Sequence, residues 1–230
     1  MTTPDRLVDD VVAGFSAMDV CAISDALDAL GVHAPQPVGI APLWEGAQTT
    51  GRALTVQLEL APPPAGHEQV HLGARAIAAG TSSHVIVVAN AGRTAMGAWG
   101  GLLSAAAQAR GISGVVVDGA CRDVDEQRVS RFPAFGLAPV MRTARGRVYE
   151  SAFNVDIVLA GAVVRPDDVV RADASGVVVV PREVERDVLA KAQDLVRREA
   201  AMRRDLEAGA DVIAVLGGAY EHMLVKETES

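Results

Sequence analysis

The stretch "GGLLSAAAQARGISGVVVDGACRDVDE", residues 100–126, decides the fold class. It opens on a glycine pair, runs through small and apolar residues that favour a helix, and stops at Gly111, so a glycine-started, glycine-stopped helix is expected over 100–111. The run "GVVVDG" (114–119) that follows is β-branched and bounded by turn residues, as a short buried strand should be. A second such run, "HVIVVAN" (84–90), precedes the helix. Strand, helix and strand in that order make a parallel unit and favour an α/β fold.

Working outward, residues 5–18 and 21–30 read as two helices, with Asp19 a candidate cap for the second. The proline-punctuated "GVHAPQPVGIAPLWEG" (31–46) reads as an irregular connection, and "RALTVQLEL" (52–60) alternates as a half-buried strand does. A helix is expected near 67–79. The runs "VVRAD" (169–173) and "GVVVVP" (176–181) suggest a hairpin around Asp173–Gly176. A long last helix is expected from Pro181 to about Glu207. No composition shift or linker divides residues 1–230, so one domain is expected.

Half of the 230 residues are hydrophobic, enough to bury a sizeable core, whereas aromatics make up only 3%. That is a poor surface for stacking single-stranded bases. The net charge of −8 argues against wrapping a phosphate backbone. Cys21 and Cys121 form no CxxC pair, which favours a reduced, cytoplasmic setting. "MTTPDRLVDD" lacks a basic region followed by an apolar run, and no stretch of about 18 uninterrupted apolar residues could span a membrane. No signal peptide, membrane span or nucleic-acid partner is expected.

The chemistry gathers at the end of the 114–119 strand, where Asp118, Arg122, Asp123, Asp125 and Glu126 crowd around Gly119. Ligands of open α/β folds collect beyond the carboxyl ends of strands. The preceding strand delivers "NAGRTAMGAWGG" (90–101), read as a glycine-rich loop feeding the helix at about 101. Free amides at a helix start attract a carboxylate or phosphate, which proposes an anion cradle over Gly100, Gly101, Leu102 and Leu103. Arg122 can grip a carboxylate through two parallel hydrogen bonds. Asp123 can hold Mg²⁺, which commonly keeps water and substrate oxygens as its other ligands. Glu126, one turn later, could reach a metal-bound water. This set suits a 2-oxo acid, whose carboxylate and keto oxygens chelate together. The competing reading makes the acids helix-start charges balancing a dipole, with Arg122 in a surface ion pair.

Two further features stand out. In the last helix Val188, Ala192, Leu195, Met202 and Leu206 form a stripe at helical spacing, and Glu199 falls on it. Spacing alone favours an i,i+4 pair with Arg203; the alternative sends Glu199 into a neighbouring subunit's site. Among His33, His67, His71, His84 and His222, only "HEQVH" (67–71) has the form of a zinc motif, and no evident third ligand follows it.

With these residues in hand, the chain resembles the class II pyruvate aldolases that act on 4-hydroxy-4-methyl-2-oxoglutarate and 4-carboxy-4-hydroxy-2-oxoadipate. Those enzymes share a fold with the regulator of ribonuclease activity A. The resemblance runs through "ISDALDALG" (23–31), residues 99–126, "FPAFGLAP" (132–139) and "DVVRADASGVVVVPREV" (168–184). Its most specific part is Gly-x20-Arg-Asp-x2-Glu/Asp, met by Gly101, Arg122, Asp123 and Glu126. "GTSSH" (80–84) and "RPDD" (165–168) depart from the family's Pro-Gly-Asp turns.

The resemblance implies a compact α/β sandwich with a swivelling-domain-like core and a long C-terminal helix, assembled as trimers or hexamers with active sites near subunit interfaces. It implies Mg²⁺ or Mn²⁺ on Asp123, Arg122 near the developing enolate, the amides of Gly100 to Leu103 on the pyruvyl carboxylate, and Glu126 orienting metal-bound water. It also turns the reading of Glu199 towards a residue that reaches a neighbour's site. The expected reaction is cleavage of a 4-hydroxy-2-oxo acid to pyruvate and a second 2-oxo acid, with oxaloacetate decarboxylation through the same enolate. A non-catalytic, protein-binding regulator of ribonuclease activity is the rival expectation.

Overall fold

The β-branched runs of the centre build a sheet that is covered on both faces. The computed structural model describes residues 9–68 and 70–217. Helices α1 (Asp10–Ser16) and α2 (Val20–Ala29) come first, then the two-residue strand β1 (Ala41–Pro42) and the long β2 (Thr49–Leu60). Next are α3 (Ala74–Ala79), β3 (His84–Trp99), α4 (Gly101–Ala109), β4 (Gly114–Cys121) and α5 (Val124–Ser130). Short strands β5 (Ala134–Gly136), β6 (Ala138–Pro139), β7 (Val148–Phe153), β8 (Ile157–Leu159) and β9 (Ala162–Val164) follow. The hairpin β10 (Val169–Asp173) and β11 (Gly176–Val180) leads to α6 (Glu185–Glu207) and α7 (Val212–Leu216).

Nine strands share one sheet in the order β1-β5-β4-β3-β2-β10-β11, with β6 beside β4 and β7 beside β2. Strands β2 to β5 run parallel; β10 lies antiparallel to β2, and β11 antiparallel to β10. The β3–α4–β4 crossover is the expected strand–helix–strand unit, paired from Val85↔Gly114 to Ala89↔Asp118. Parallel neighbours require such a crossover because a tight hairpin cannot join them.

Strand alternation explains why the valine runs are unbroken. On one face Leu54, Val56, Ile86, Val88, Val115 and Val117 pack under α3 and α4 with Trp99 and Phe132. On the other, Ala53, Val85, Val87, Val116 and Phe135 meet Val170, Val177 and Val179, so the sheet curls nearly closed around its own inner core. The outer residues of the hairpin, Val178 and Val180, pack against Phe15, Ile23, Leu27 and Val188 of the first two helices and α6. Burying both faces of a strand removes the polar side of the pattern. Asp19 caps α2 as expected, accepting from the Ala22 amide at 2.8 Å. Arg52 on β2 pairs with Asp9 at 2.8 Å and with Glu185, tying α1 and α6 to the sheet.

Three expectations need correction. Residues 90–99 are not a loop: β3 continues to Trp99 with register shifts, keeping its pairing with β4 through Arg93↔Gly119, Gly97↔Ala120 and Trp99↔Cys121. Among the described residues, the helix expected near 67–79 forms only at Ala74–Ala79, starting after Gly73, whose left-handed backbone (φ 72°) breaks it off from the chain before. The first helix begins at Asp10, capped by Asp9; residues 5–8 of its expected span, and His222, lie outside the described residues. Among the described residues no helix is long and apolar enough to cross a membrane.

Candidate active site

The longer course of β3 and β4 is what assembles the site. Both strands end together, at Trp99 and Cys121, and hand their chains to α4 and α5 side by side. The Arg122 amide donates to the Trp99 carbonyl at 2.9 Å, which fixes Arg122 and Asp123 beside Gly100 and Gly101.

Asp123 stands at the position that would cap α5, yet its side chain makes no capping bond there. Its backbone is left-handed, with φ 59° and ψ 38°, a conformation that Asp tolerates better than most residues. The carboxylate turns instead to the neighbouring helix, where Oδ2 accepts the Gly101 amide at 3.0 Å. Arg122 Nε donates to both Asp123 oxygens, at 3.2 Å each. Both side chains keep access to solvent, 38% for Arg122 and 29% for Asp123, so neither is a sealed structural ion pair. A residue held in a rare backbone conformation and aimed away from its own helix is a recognised mark of a working site.

The glycines are there because nothing larger fits. A Cβ on Gly100 would stand 2.9 Å from both Arg122 Cγ and Asp123 Oδ2. One on Gly101 would overlap Glu126 Oε2 and come within 3.2 Å of Asp123 Cβ. Glu126 therefore lies against the start of α4; it is exposed and does not line the cavity next to it. The first amide of α4 to find a helical carbonyl is that of Ser104, 3.0 Å from Gly100 O. Gly100 supplies no side-chain cap, so the amides of Leu102 and Leu103 stay open to a ligand. The expected four-amide cradle is thus narrower, since the Gly101 amide already serves Asp123.

These groups line a cavity of about 790 Å³. Its first wall carries Gly100 to Leu103, Arg122 and Asp123; a second comes from the 61–72 segment and from residues 143–150. On that second wall His67 Nε2 meets the Glu150 carbonyl at 2.9 Å and its ring stands edge-on to Tyr149 at 4.9 Å. Glu150, whose side chain is only 1% exposed, accepts the Gly73 amide at 2.7 Å through Oε2. Among the described residues its Oε1 has no hydrogen-bond partner, and it lies 3.5 Å from Arg75 Nη1. Burial raises the Glu150 carboxyl above the usual carboxylate range, against the opposing pull of the Gly73 amide and Arg75. Sequence reading passed over this acid, although "VYESAF" carried a signal: Glu150 shares strand parity with the buried Val148.

Other expected residues are placed elsewhere. Asp118 lies inside β4, buried, and borders a separate cavity with Gly92 and Asp156. Asp125 and Glu126 are acids of the first turn of α5, and Asp125 pairs with Arg128 at 2.9 Å. Glu199 is half-buried on α6, far along the stripe whose Val188, Ala192 and Leu195 are buried; among the described residues it makes no ion pair with Arg203. That stripe packs with α1 and α2, away from the helices that frame the cavity. His71 Nδ1 faces the Leu72 carbonyl at 3.3 Å, and among the described residues no three His, Cys, Asp or Glu side chains cluster as a metal site.

With the geometry established, three comparisons bear on it. The family model described as RraA-like, Aldolase/RraA, matches residues 20–179. The chain is 33% identical over 188 residues to a Halalkalibacterium halodurans protein named "Putative 4-hydroxy-4-methyl-2-oxoglutarate aldolase", covering 80% of this chain and 82% of that one. It is 34% identical over 169 residues to protein DlpA of Legionella pneumophila, covering 74% of this chain but only 27% of DlpA. Among solved structures, an uncharacterized protein from Pseudomonas syringae superposes with a TM-score of 0.81 at 29% identity, over 94% of this chain and 100% of that one. Streptomyces coelicolor RraAS2, described as an unusual member of the RNase ES inhibitor RraA protein family, shares the fold at a TM-score of 0.78 and 24% identity, over 88% of this chain and 99% of that one.

Proposed function

The chain belongs to the RraA-like (Aldolase/RraA) family, and from that premise we propose that it is a divalent-metal-dependent lyase. In this reading it cleaves a 4-hydroxy-2-oxo di- or tricarboxylic acid to pyruvate and a second 2-oxo acid, and decarboxylates oxaloacetate as a side activity. The observation that carries the reading is the meeting of Asp123, Arg122 and the open first turn of α4 at one wall of a cavity. The aldolase name carried by the Halalkalibacterium halodurans relative supports it.

The donor set fits a hard cation. Asp123 offers a partly exposed carboxylate beside a roomy cavity, and Mg²⁺ is commonly held by one or two protein carboxylates with water and substrate completing its shell. Asp123 would hold Mg²⁺ or Mn²⁺, and Glu126, one turn on, would orient water near it. Bound there, the cation would supply Lewis-acid polarisation of the substrate's keto group.

The protein's own groups do the rest. The amides of Leu102 and Leu103, with Gly100 and Gly101 giving the backbone its close approach, take the pyruvyl carboxylate at the positive end of α4. A cavity water acts as base for the 4-hydroxyl proton. The C3–C4 bond then breaks, its electron pair passing into the pyruvate enolate while C4 becomes the carbonyl of the second product. Arg122 donates to the oxygen on which that negative charge develops, the kind of contact that gains most in the transition state. Glu199, placed off the site's own face, would act on a neighbouring copy in a trimer or hexamer. Two free cysteines fit a reducing cytoplasm.

The test is pyruvate release from 4-hydroxy-4-methyl-2-oxoglutarate and from oxaloacetate, with Mg²⁺ and then with excess EDTA. Metal-dependent release from the hydroxy acid supports the aldolase. Release from oxaloacetate alone keeps the site and makes decarboxylation the reaction. No release together with no Mn²⁺ binding overturns the reading in favour of a protein-binding regulator.

A further inference from the structure

We propose that Glu150 is a positioning residue that determines which leaving half of the substrate the cavity accepts, by locking its second wall in place. This rests on the lyase reading above.

The pyruvyl half is accounted for by the first wall, and a cavity of about 790 Å³ leaves ample room beyond it. The part of a 4-hydroxy-2-oxo acid past C4 must therefore lie against the second wall. The described residues of that wall between Pro62 and Gly73 form no helix or ladder to set its shape. Glu150 supplies the shape from β7. Its backbone carbonyl holds His67 at 2.9 Å, its Oε2 holds the Gly73 amide at 2.7 Å, and its Oε1 faces Arg75 at 3.5 Å. Arg75 in turn reaches back to Glu68 at 2.9 Å. One residue thus grips the segment midway, at His67 through its backbone, and at the Gly73 end through its side chain.

The gripped segment seats against a surface that is fixed without it. Gly73 has a left-handed φ of +72°, and a Cβ there would meet the Trp99 ring at 2.7 Å. Trp99 Nε1 donates to Ser104 Oγ at 2.9 Å, and that hydroxyl donates to the Gly100 carbonyl at 3.1 Å. Trp99 is thus held from α4 without Glu150, and the Gly73 end of the second wall rests on it. Burying an acid with one oxygen lacking a hydrogen bond is costly. Fixing the shape of the second wall is a role that plain packing would not need. Glu150 does not act on the reacting atoms, and its effect passes through the segment it holds.

The experiment compares the wild-type chain with Glu150→Ala and Glu150→Gln on two substrates, 4-hydroxy-4-methyl-2-oxoglutarate and oxaloacetate. Besides pyruvate, the second releases only carbon dioxide and makes little demand on the second wall. Hydrogen exchange of the Gly73 amide is followed in parallel. Glu150→Ala is expected to lose roughly tenfold or more in kcat/KM on the hydroxy acid, mainly through KM. Its kcat/KM for oxaloacetate should stay within about threefold of wild type, and the Gly73 amide should lose protection. Glu150→Gln keeps an acceptor for that amide and should recover most of the loss. An equal fall on both substrates, or unchanged selectivity in a folded variant, would overturn the assignment of Glu150 alone. A wild-type protein inactive on both substrates would instead sink the lyase reading and the selectivity claim with it.

Discussion

Replacing Gly100 by alanine adds a single methyl group where the candidate site is tightest and removes no functional group. The backbone at Gly100 is extended, φ −157° and ψ −176°, so alanine adopts it without strain. The added carbon would stand 2.9 Å from Arg122 Cγ, 2.9 Å from Asp123 Oδ2 and 3.4 Å from Arg122 Cδ. Contacts of that length must open by several tenths of an ångström. Arg122, partly exposed, can swing away, whereas Asp123 is held by the Gly101 amide at 3.0 Å. Forcing that carboxylate aside sacrifices a charge-assisted hydrogen bond, about 1.5–3 kcal/mol if nothing replaces it. At roughly 2–4 °C per kcal/mol for a chain of this size, the melting temperature should fall by several degrees and the protein should stay folded. Activity should suffer far more, because misplacing reacting groups by about 1 Å can cost on the order of a hundredfold. The assay is pyruvate release coupled to lactate dehydrogenase, read beside a thermal melt. A folded Gly100→Ala protein with near-wild-type turnover would refute the claim that Arg122 and Asp123 work from this geometry.

Three further outcomes are expected. Arg122→Lys should keep the charge but lose the paired donation to Asp123, lowering kcat by roughly tenfold or more while KM for the 2-oxo acid changes less; equal activity would remove Arg122 from the mechanism. If Glu199 acts on a neighbouring copy, Glu199→Ala and Asp123→Ala proteins, each inactive, should regain part of the activity when unfolded together and refolded as mixed oligomers. Mixtures as inactive as their parents would assign Glu199 to structure. A thiol reagent should label only one cysteine of the folded chain, Cys21, which is exposed; Cys121 is fully buried, and burial pushes its thiol pKa far up. Labelling of both under native conditions would contradict the packing at the end of β4.

How far the fold and site could be read from the chain follows from which signals are local. The runs at 84–90, 114–119 and 169–181 showed as strands because both their faces are buried and most of their residues are β-branched and apolar. Residues 91–97 hid their strand character: Gly92, Arg93, Thr94 and Gly97 resemble a loop, and pairing with non-local partners, β4 and Thr143, carries the strand on past the left-handed kink at Ala91 and Gly92. The same hidden extension misplaced Asp118 at a strand mouth, when Gly119 and Ala120 are small enough for β4 to run on to Cys121. Arg122 and Asp123 were legible as groups at a strand end beside the glycines that start the next helix, while their spacing from Gly101 came from the family resemblance. Glu150 and Gly73 were not, since their contact spans distant positions in sequence and leaves only a parity signal in β7.

The most direct measurement is pyruvate formation from 4-hydroxy-4-methyl-2-oxoglutarate by the wild-type chain and by Asp123→Ala, side by side in the same Mg²⁺ buffer. The account predicts turnover that EDTA abolishes in the first and turnover at background in a folded second. Pyruvate formed equally by both would contradict it.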